Sequence, residues 1–287
     1  MEWALFCDTT KEGCMKSKKI LAIVACGVLA AALALFGCSS GSSSSSSSAA
    51  KSSAATDGYT LVKDGTLTIG TSPDFPPFEN LENGDYVGLD IEIAKAVAEK
   101  MGLTPEFKTI QFDGIIPAVA AGGQVDCGFS GFSVDPERAK QIDFTDGYYI
   151  DDQAIAVMKG GTITSDNVDA ELNKAGVVIA VQSGTTGEAY VQENYPNATA
   201  QPYGNSTDAF AAMQAGQANA VCTNKAVVDN MLQSAYTDAQ VVKSIATGEE
   251  YAGVVSQDNP ELTAAINKAL QELKDDGTLD SLINKYM

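Results

Sequence analysis

The sequence predicts an α/β protein of two lobes, each a mixed sheet flanked by helices, joined by a hinge of two strands. First, segments with strand and helix patterns alternate along the chain. Second, the pattern occurs twice, and residues 216–222 repeat the glycine break, short strand and cysteine of residues 122–127. Third, Ser72, Ser130 and Asn224 each follow a predicted strand, which is where ligands bind in such sheets. Two such lobes facing each other would form a cleft.

The first lobe begins near Asp57. Its clearest helix has apolar residues at the spacing of one helix face and stops at Gly102, a residue suited to closing a helix. Gly122 and Gly123 end the next helix. The predicted strands are 67–70, 104–109, 125–129 and 150–158, and the predicted helices are 90–101 and 114–121.

The second copy of the pattern has short apolar strands that alternate with helices in the same way. Its predicted strands are 177–181, 198–202 and 220–222, and its predicted helices are 185–195, 207–215 and 225–235. A strand at 253–255 and two terminal helices, 260–274 and 279–285, complete the chain.

Composition excludes several classes of function. The chain has 287 residues, of which 45% are apolar, enough for one large or two modest domains. A net charge of -19 argues against nucleic-acid binding, because phosphate contacts need clustered lysine and arginine. The absence of histidine removes the commonest general base and most zinc sites. These observations fit our expectation for this chain, which is no metal, no cofactor and no enzymatic activity.

The N-terminal region has the pattern of an export signal. Three lysines within residues 16–19 precede an apolar run at 20–36. A retained membrane helix is the alternative, because the run is about long enough to cross a bilayer. Cys38, with Leu35 and Gly37 before it, resembles a bacterial lipobox, in which the cysteine is lipidated and becomes the new N-terminus. This resemblance favours a lipoprotein signal peptide over residues 1–37.

Met15 is the expected true start, because the residues before it are acidic rather than basic. Residues 38–56 follow the signal and are nearly all serine and alanine. Such a segment cannot bury apolar surface, so we expect a disordered tether between the acylated Cys38 and the folded body.

Six cysteines occur in the chain. Three are removed with the signal peptide and Cys38 is acylated, which leaves Cys127 and Cys222. An exported protein can pair two such thiols. We expect buried free thiols instead, because the two cysteines lie on strands of different lobes and a disulfide would join parts that must move.

Arg138 is the only arginine, against 17 lysines. Its planar guanidinium can grip a carboxylate with two hydrogen bonds, a geometry that lysine does not offer. Asp135 and Pro136 suit a helix start and place Arg138 in the first turn. A carboxylate clamp and an incidental surface ion pair are both compatible with this residue considered alone.

From about residue 65 to residue 287 the chain resembles the solute-binding proteins of bacterial amino-acid ABC importers, the family of the glutamine- and histidine-binding proteins. The resemblance implies the type II periplasmic-binding-protein fold. The motifs that carry it, in the family's order, are 69–79, 87–90, 112–118, 131–138, 143–149, 183–186 and 276–278.

The resemblance also implies a ligand site. Arg138 matches the arginine that binds the ligand's α-carboxylate, and Ser133 with the backbone of Gly131 completes that pocket. Ser130 matches a position beside the α-amino group. Gln182 matches a position that helps to read the ligand side chain, and being uncharged it favours a polar or neutral side chain.

Two aromatic walls and a helix start complete the implied site. Phe75 and Phe112 match residues that sandwich the ligand, although plain core packing is the alternative for both. Thr185 and Thr186 match the start of a helix in the second lobe. Its free N–H groups suit an anion.

Two positions depart from the family. Asn224 stands where the family usually has an aspartate that pairs the ligand's ammonium, and Ser72 replaces a second acid. Loss of a charge-assisted hydrogen bond typically costs about 1.5–3 kcal/mol. We therefore expect a neutral ammonium pocket, so that either carbonyls and hydroxyls hold the amine or the ligand has a modified or absent amine.

The implied function is capture of an amino acid or related carboxylate outside the cytoplasm and delivery to an ABC permease with its ATPase. Residues 57–150 and 250–287 form the first lobe, 151–249 form the second, and strands near 149–154 and 248–253 form the hinge. We expect a monomer, anchored to the membrane by its lipid.

Two other functions are compatible with the same architecture. A periplasmic dehydratase would need an acid in the cleft, and Glu79, Asp113 and Asp135 are the nearby acids, each with an ordinary loop, turn or capping role. A surface adhesin or sensor could also use the clamp.

Overall fold

The computed structural model describes residues 58–287. The predicted signal peptide, the predicted acylation of Cys38, the predicted tether and the expected start at Met15 all lie outside the described residues. In the described part, no helix combines the length and apolar character needed to cross a membrane.

Strands and helices alternate through the described chain. In chain order the strands are β1 (Thr66–Thr71), β2 (Asp74–Phe75), β3 (Glu79–Glu82), β4 (Asp85–Val87), β5 (Thr104–Thr109), β6 (Cys127–Gly128), β7 (Ile142–Phe144), β8 (Tyr149–Met158), β9 (Val178–Gln182), β10 (Thr199–Tyr203), β11 (Ala220–Asn224), β12 (Ala239–Tyr251) and β13 (Val254–Ser256). The α-helices are α1 (Leu89–Lys100), α2 (Phe112–Ala121), α3 (Val168–Leu172), α4 (Thr186–Asn194), α5 (Ser206–Gln214), α6 (Lys225–Ser234), α7 (Pro260–Asp275) and α8 (Thr278–Tyr286).

Two five-stranded mixed sheets form the body. The first has the order β5-β1-β6-β13-β7 and the second has the order β10-β9-β11-β8-β12. In each sheet, parallel strands from strand–helix units are joined by antiparallel strands. The predicted mixed α/β class is therefore confirmed, and the ends of several strands and helices carry the candidate site.

The first lobe differs from the sequence prediction in two places. The strand predicted at 125–129 contains only β6, because the chain leaves the sheet to form the loop at 130–133. The predicted helix that holds Arg138 is a single 3-10 turn, Arg138–Lys140. Asp135 nevertheless caps it, since Asp135 Oδ1 accepts the backbone N–H groups of Glu137 at 2.8 Å and Arg138 at 3.0 Å.

The small sheet β2-β3-β4 was not predicted. Its strands have only two to four residues, too short for a clear alternation of apolar and polar side chains. Strand β7 and helix α3 were missed for the same reason. The small sheet matters to the site because β2 carries Phe75.

Strands β8 and β12 are long and pair antiparallel where the chain passes between the two sheets. Tyr149 faces Tyr251, and Asp151 faces Glu249. The pairing slips between Ile245 and Glu249, so that β12 has a bulge there. Gly248 supplies the positive φ of 60° within the bulge, a conformation that glycine adopts without strain.

An aromatic cluster packs against this strand pair. The ring of Phe78 lies 4.9 Å from the ring of Tyr251 and 5.4 Å from that of Tyr149. Tyr251 and Phe78 are fully buried. The cluster holds the crossing strands against the segment between β2 and β3, because such rings bury large apolar areas.

Both cysteines of the described chain are free and buried. Cys127 lies on β6 of the first sheet and Cys222 on β11 of the second. Burial raises the pKa of each thiol, so neither is a reactive thiolate at neutral pH.

Candidate functional site

A narrow pocket lies where segments of the two sheets meet. Nine of the eleven predicted ligand-binding residues line it: Phe75, Phe112, Gly131, Ser133, Arg138, Gln182, Thr185, Thr186 and Asn224. The first five belong to segments around the first sheet and the last four to segments around the second. Residues far apart in sequence thus meet in one place.

The guanidinium of Arg138 spans the pocket. Its Nη1 donates to the carbonyl of Ser133 at 2.8 Å, and its Nη2 donates to the carbonyl of Gly184 at 3.0 Å. It also lies over the ring of Phe112, 5.3 Å from the centroid, a favourable cation–π geometry. Burial lowers the pKa of Arg138, but an arginine remains charged at neutral pH.

Arg138 has no carboxylate partner in the described part of the chain. None of the ion pairs formed there includes it. Its two hydrogen bonds go to neutral carbonyl oxygens. A half-buried cation without an anion in contact is unfavourable, so a carboxylate ligand would gain a strong bidentate interaction here.

The aromatic walls lie against the backbone of the site. Phe112 stacks on Phe132 with ring centroids 4.8 Å apart. The ring of Phe75 packs so closely on Gly131 that a Cβ there would lie 3.1 Å from it. Gly131 also has a φ of 58°, so this position favours glycine for two separate reasons.

Helix α4 points its N-terminus into the pocket. Thr185 caps the helix, since its Oγ1 accepts the N–H of Glu188 at 3.1 Å. Thr186 is the first helical residue, and its Oγ1 donates to Glu249 at 2.7 Å. The first N–H groups of a helix lack partners within the helix and carry a partial positive charge, so this end suits an anion.

Ser72 and Ser130 do not line the pocket. Both are buried behind it, where Ser72 N–H donates to Ser130 Oγ at 3.0 Å. Ser130 Oγ donates to Glu79 Oε1 at 2.9 Å, and Ser72 Oγ donates to Asp74 Oδ1 at 2.7 Å. Their hydroxyls therefore support the loops of the site.

Asp74 is a site-adjacent acid that the sequence analysis missed. Its Oδ2 accepts from the Gln182 amide at 3.2 Å and from the backbone N–H of Ser206. Its carbonyl accepts from the Ser206 hydroxyl. Burial raises the pKa of Asp74. These contacts tie β2 to the start of α5 and hold Gln182 at the pocket wall.

Glu249 is the second acid that the sequence analysis missed. The Asn224 amide lies 3.4 Å from Glu249 Oε2, so the corner around Asn224 contains a carboxylate. This differs from the expected neutral pocket. Glu249 lies on the bulge of β12, outside the motifs that carry the resemblance. The one sequence feature that could have indicated a bulge here is the preceding glycine, Gly248.

A buried pair of acids supports the binding loop from behind. Asp90 Oδ2 accepts the N–H of Gly131 at 2.7 Å and the hydroxyl of Tyr148 at 2.6 Å. Burial raises the pKa of Asp90 to about 6, and burial together with Asp90 raises that of Glu79 well above its usual value. Each acid has one oxygen with no hydrogen-bond partner among the described residues.

This acid pair predicts a stability that falls as pH rises. The native state holds protons that the unfolded chain releases, so the free energy of unfolding decreases between about pH 4 and the raised pKa of Asp90, about 6. One pKa unit corresponds to about 1.4 kcal/mol, so the loss is on the order of 1–3 kcal/mol. Asp90→Asn should flatten this dependence in urea unfolding at pH 4.5 and 7.5. The exposed control Asp64→Asn should keep the wild-type slope, and an equal slope in all three proteins would contradict the assignment.

Fold and pocket together define a class: a two-lobed solute-binding protein with a cationic site for a small carboxylate. Residues 67–287 match the family model of bacterial extracellular solute-binding proteins, family 3. The chain belongs to this family, whose members act outside the cytoplasm.

Relatives of this chain are similar to it over most of their length, and solved structures among them have the same fold. ABC transporter arginine-binding protein 1 of Escherichia coli (strain K12) is 30% identical over 228 residues, which cover 77% of this chain and 90% of the relative. An ancestral arginine-binding protein, solved bound to arginine and bound to glutamine, is 39% identical with a TM-score of 0.72. The alignment covers 78% of this chain and 98% of the ancestral one. The two-lobed type II fold is thereby confirmed.

A third relative bears on the enzyme alternative. The ancestral amino acid-binding protein AncCDT-1, a precursor of cyclohexadienyl dehydratase, is 37% identical with a TM-score of 0.71. The alignment covers 77% of this chain and 95% of that one. This relative is itself described as a binding protein, like the arginine-binding proteins above.

Proposed function

We propose that this chain captures an α-amino acid outside the cytoplasm and delivers it, chemically unchanged, to an ABC permease and its ATPase. The observation that carries the proposal is the Arg138 guanidinium, which lies over the ring of Phe112 and has only carbonyl oxygens as hydrogen-bond partners. The ligand's α-carboxylate would take the place of those carbonyls. Ser133, the backbone of Gly131 and the start of α4 would supply further donors.

Binding would proceed by closure of two lobes. In this proposal the first lobe comprises 57–150 and 250–287, the second comprises 151–249, and β8 with β12 form the hinge. The ligand first meets Arg138, Phe75 and Phe112, and donors of the second lobe then favour the closed form. Contacts that join the two sides, such as Arg138 to Gly184, support closure of this kind.

The ligand side chain would extend toward Gln182, with Asp74 behind it. Gln182 offers an uncharged amide at the pocket wall, and Asp74 is the acid that holds this amide. Arginine and glutamine are the first candidates, because relatives of this chain bind them. Both ligands have a long side chain with a planar polar end.

The anchoring proposal rests on sequence. Cleavage before Cys38 and lipidation of this cysteine would hold a monomer at the membrane face through the serine-rich tether. The proposal needs no metal, cofactor or nucleic acid. Recovery of the bound amino acid unaltered after long incubation would separate it from the dehydratase alternative.

The test is a thermal shift with a panel of common amino acids. At about 100-fold excess over the dissociation constant a ligand adds roughly 2.7 kcal/mol of stability, which corresponds to about 5–10 °C in Tm for a domain of this size. L-Arginine and L-glutamine should lead the panel. Their methyl esters, which lack the carboxylate charge, should give little shift. A flat response to every amino acid would overturn the proposed function.

A further inference from the structure

Glu249 is a carboxylate beside the pocket, in contact with three of the residues that line it, and it lies in none of the motifs that carry the resemblance. The bulge between Ile245 and Glu249 determines its direction. Within the bulge, Gly248 has a φ of 60° and donates its N–H to Asp152 Oδ1 at 3.0 Å. The backbone thus turns at Gly248 and brings the next side chain to the residues that line the pocket.

Every hydrogen bond of this carboxylate comes from a neutral donor in the described chain. Its Oε2 accepts from Thr186 Oγ1 at 2.7 Å, from the Ser133 hydroxyl and from Asn224 Nδ2 at 3.4 Å. Gln153 Nε2 donates to Oε1 at 3.0 Å and to Oε2 at 3.2 Å. No ion pair of the described residues includes Glu249. An anion without a cation in contact therefore lies beside the pocket.

Arg138 and Glu249 lie on two sides of one residue. Arg138 binds the carbonyl of Ser133, and Glu249 accepts from the hydroxyl of Ser133. Nevertheless, these opposite charges do not form an ion pair with each other. An α-amino acid has its carboxylate and its ammonium on the same carbon, so a zwitterion placed between the two groups would satisfy both charges.

We propose that Glu249 is the residue that binds the ligand's α-ammonium, a role that rests on the proposed function. Asn224 and Ser72 leave the pocket without the acids that the family usually supplies there. Glu249 places a carboxylate in contact with Asn224 from a different strand. In this chain the carboxylate that binds the ammonium is therefore on the bulge of β12, whereas the family usually has it at the position that corresponds to the end of β11. The site selects compounds with a protonated amine next to the carboxylate.

The alternative role for Glu249 is to imitate the ligand's own carboxylate and compete with it. A group with that role would engage Arg138, the strongest anion-binding group in the pocket. The guanidinium instead donates to the carbonyls of Ser133 and Gly184. The ammonium role therefore fits the contacts better.

The experiment compares amino acids with counterparts that lack only the α-amine. Calorimetry would use L-arginine against 5-guanidinopentanoate, and L-glutamine against glutaramate. The wild-type protein should prefer the amino acid by at least about 10-fold. Glu249→Gln should weaken binding of the amino acid by about 10- to 100-fold and leave the counterpart nearly unchanged. The matched control is Glu250→Gln, the next residue on β12, which is exposed and should bind as the wild type does.

A second variant tests the same idea by rescue. Adding Asn224→Asp to Glu249→Gln returns one carboxylate to this corner and should restore most of the lost affinity. Three results would overturn the inference: equal affinity of wild type for an amino acid and its counterpart, unchanged or tighter binding by Glu249→Gln, or equal loss for both ligands. If Glu249→Gln does not fold, equal affinity of the wild type for an amino acid and its counterpart would still overturn the inference. A wild type that binds no amino acid overturns the proposed function together with this inference, whereas binding without discrimination overturns this inference alone.

Discussion

Replacing Arg138 with alanine is expected to lower the affinity for the bound amino acid by about a hundredfold or more. A bond to a charged group contributes about 1.5–3 kcal/mol, and the guanidinium can make two to a carboxylate. Arg138→Lys should lose about 10- to 100-fold, because lysine keeps the charge but not the planar fork. The cation–π contact with Phe112 is weakened in both variants.

Calorimetry with L-arginine and L-glutamine measures this effect. The matched control is Lys140→Ala, because Lys140 lies in the same 3-10 turn and its charge pairs at the surface with Glu137. An exposed pair of this kind contributes little, so the control should bind as the wild type does. Full affinity in Arg138→Ala would remove the basis of the proposed function.

Replacing Gly88 with alanine is expected to lower the free energy of unfolding by about 3 kcal/mol or more. A Cβ at Gly88 would lie 2.1 Å from the backbone oxygen of Phe78, and φ at this position is 128°. The backbone must therefore move. The same oxygen of Phe78 accepts the N–H of Asp90, whose side chain holds Gly131. The change should accordingly weaken ligand binding as well.

Gly84→Ala separates the collision from the backbone strain. Gly84 has a similar φ of 92°, but a Cβ there would have no neighbour within 4 Å. We expect this control to lose only about 1–2 kcal/mol, the usual cost of a left-handed conformation for a residue with a side chain. Urea unfolding of both variants at pH 7 gives the two values. Similar losses in both proteins would show that the close approach to Phe78 is not what requires glycine.

Sequence patterns predicted most of the longer elements because these have enough residues to show a period, although only the end of the 13-residue β12, near 248–253, was predicted. Helix 90–101 corresponds to α1, and strand 104–109 corresponds to β5. The short strands β2, β3 and β4 carry too few residues for such a signal. The chain near Arg138 was predicted as a helix from Asp135 and Pro136, but the cap is followed by only one 3-10 turn.

The prediction of the candidate site likewise agrees with the pocket for some residues and was incomplete for others. Nine of the eleven predicted ligand-binding residues line one pocket. Ser72 and Ser130 follow strands as predicted, but their hydroxyls form hydrogen bonds with neighbouring protein groups and do not line the pocket. Asp74 and Glu249 were not predicted as site residues, because their contacts with Gln182 and Asn224 join residues more than 20 positions apart.

By itself, the sequence determined the class of fold, the lone guanidinium and the two phenylalanine walls, because local periodicity and motif order carry this information along the chain. Only the tertiary structure decided which charges face one another in the pocket. A bulge in β12 and the pairing of distant strands bring Glu249 to Ser133, Thr186 and Asn224. Contacts of this kind depend on the three-dimensional path of the backbone, which no local pattern of residues specifies.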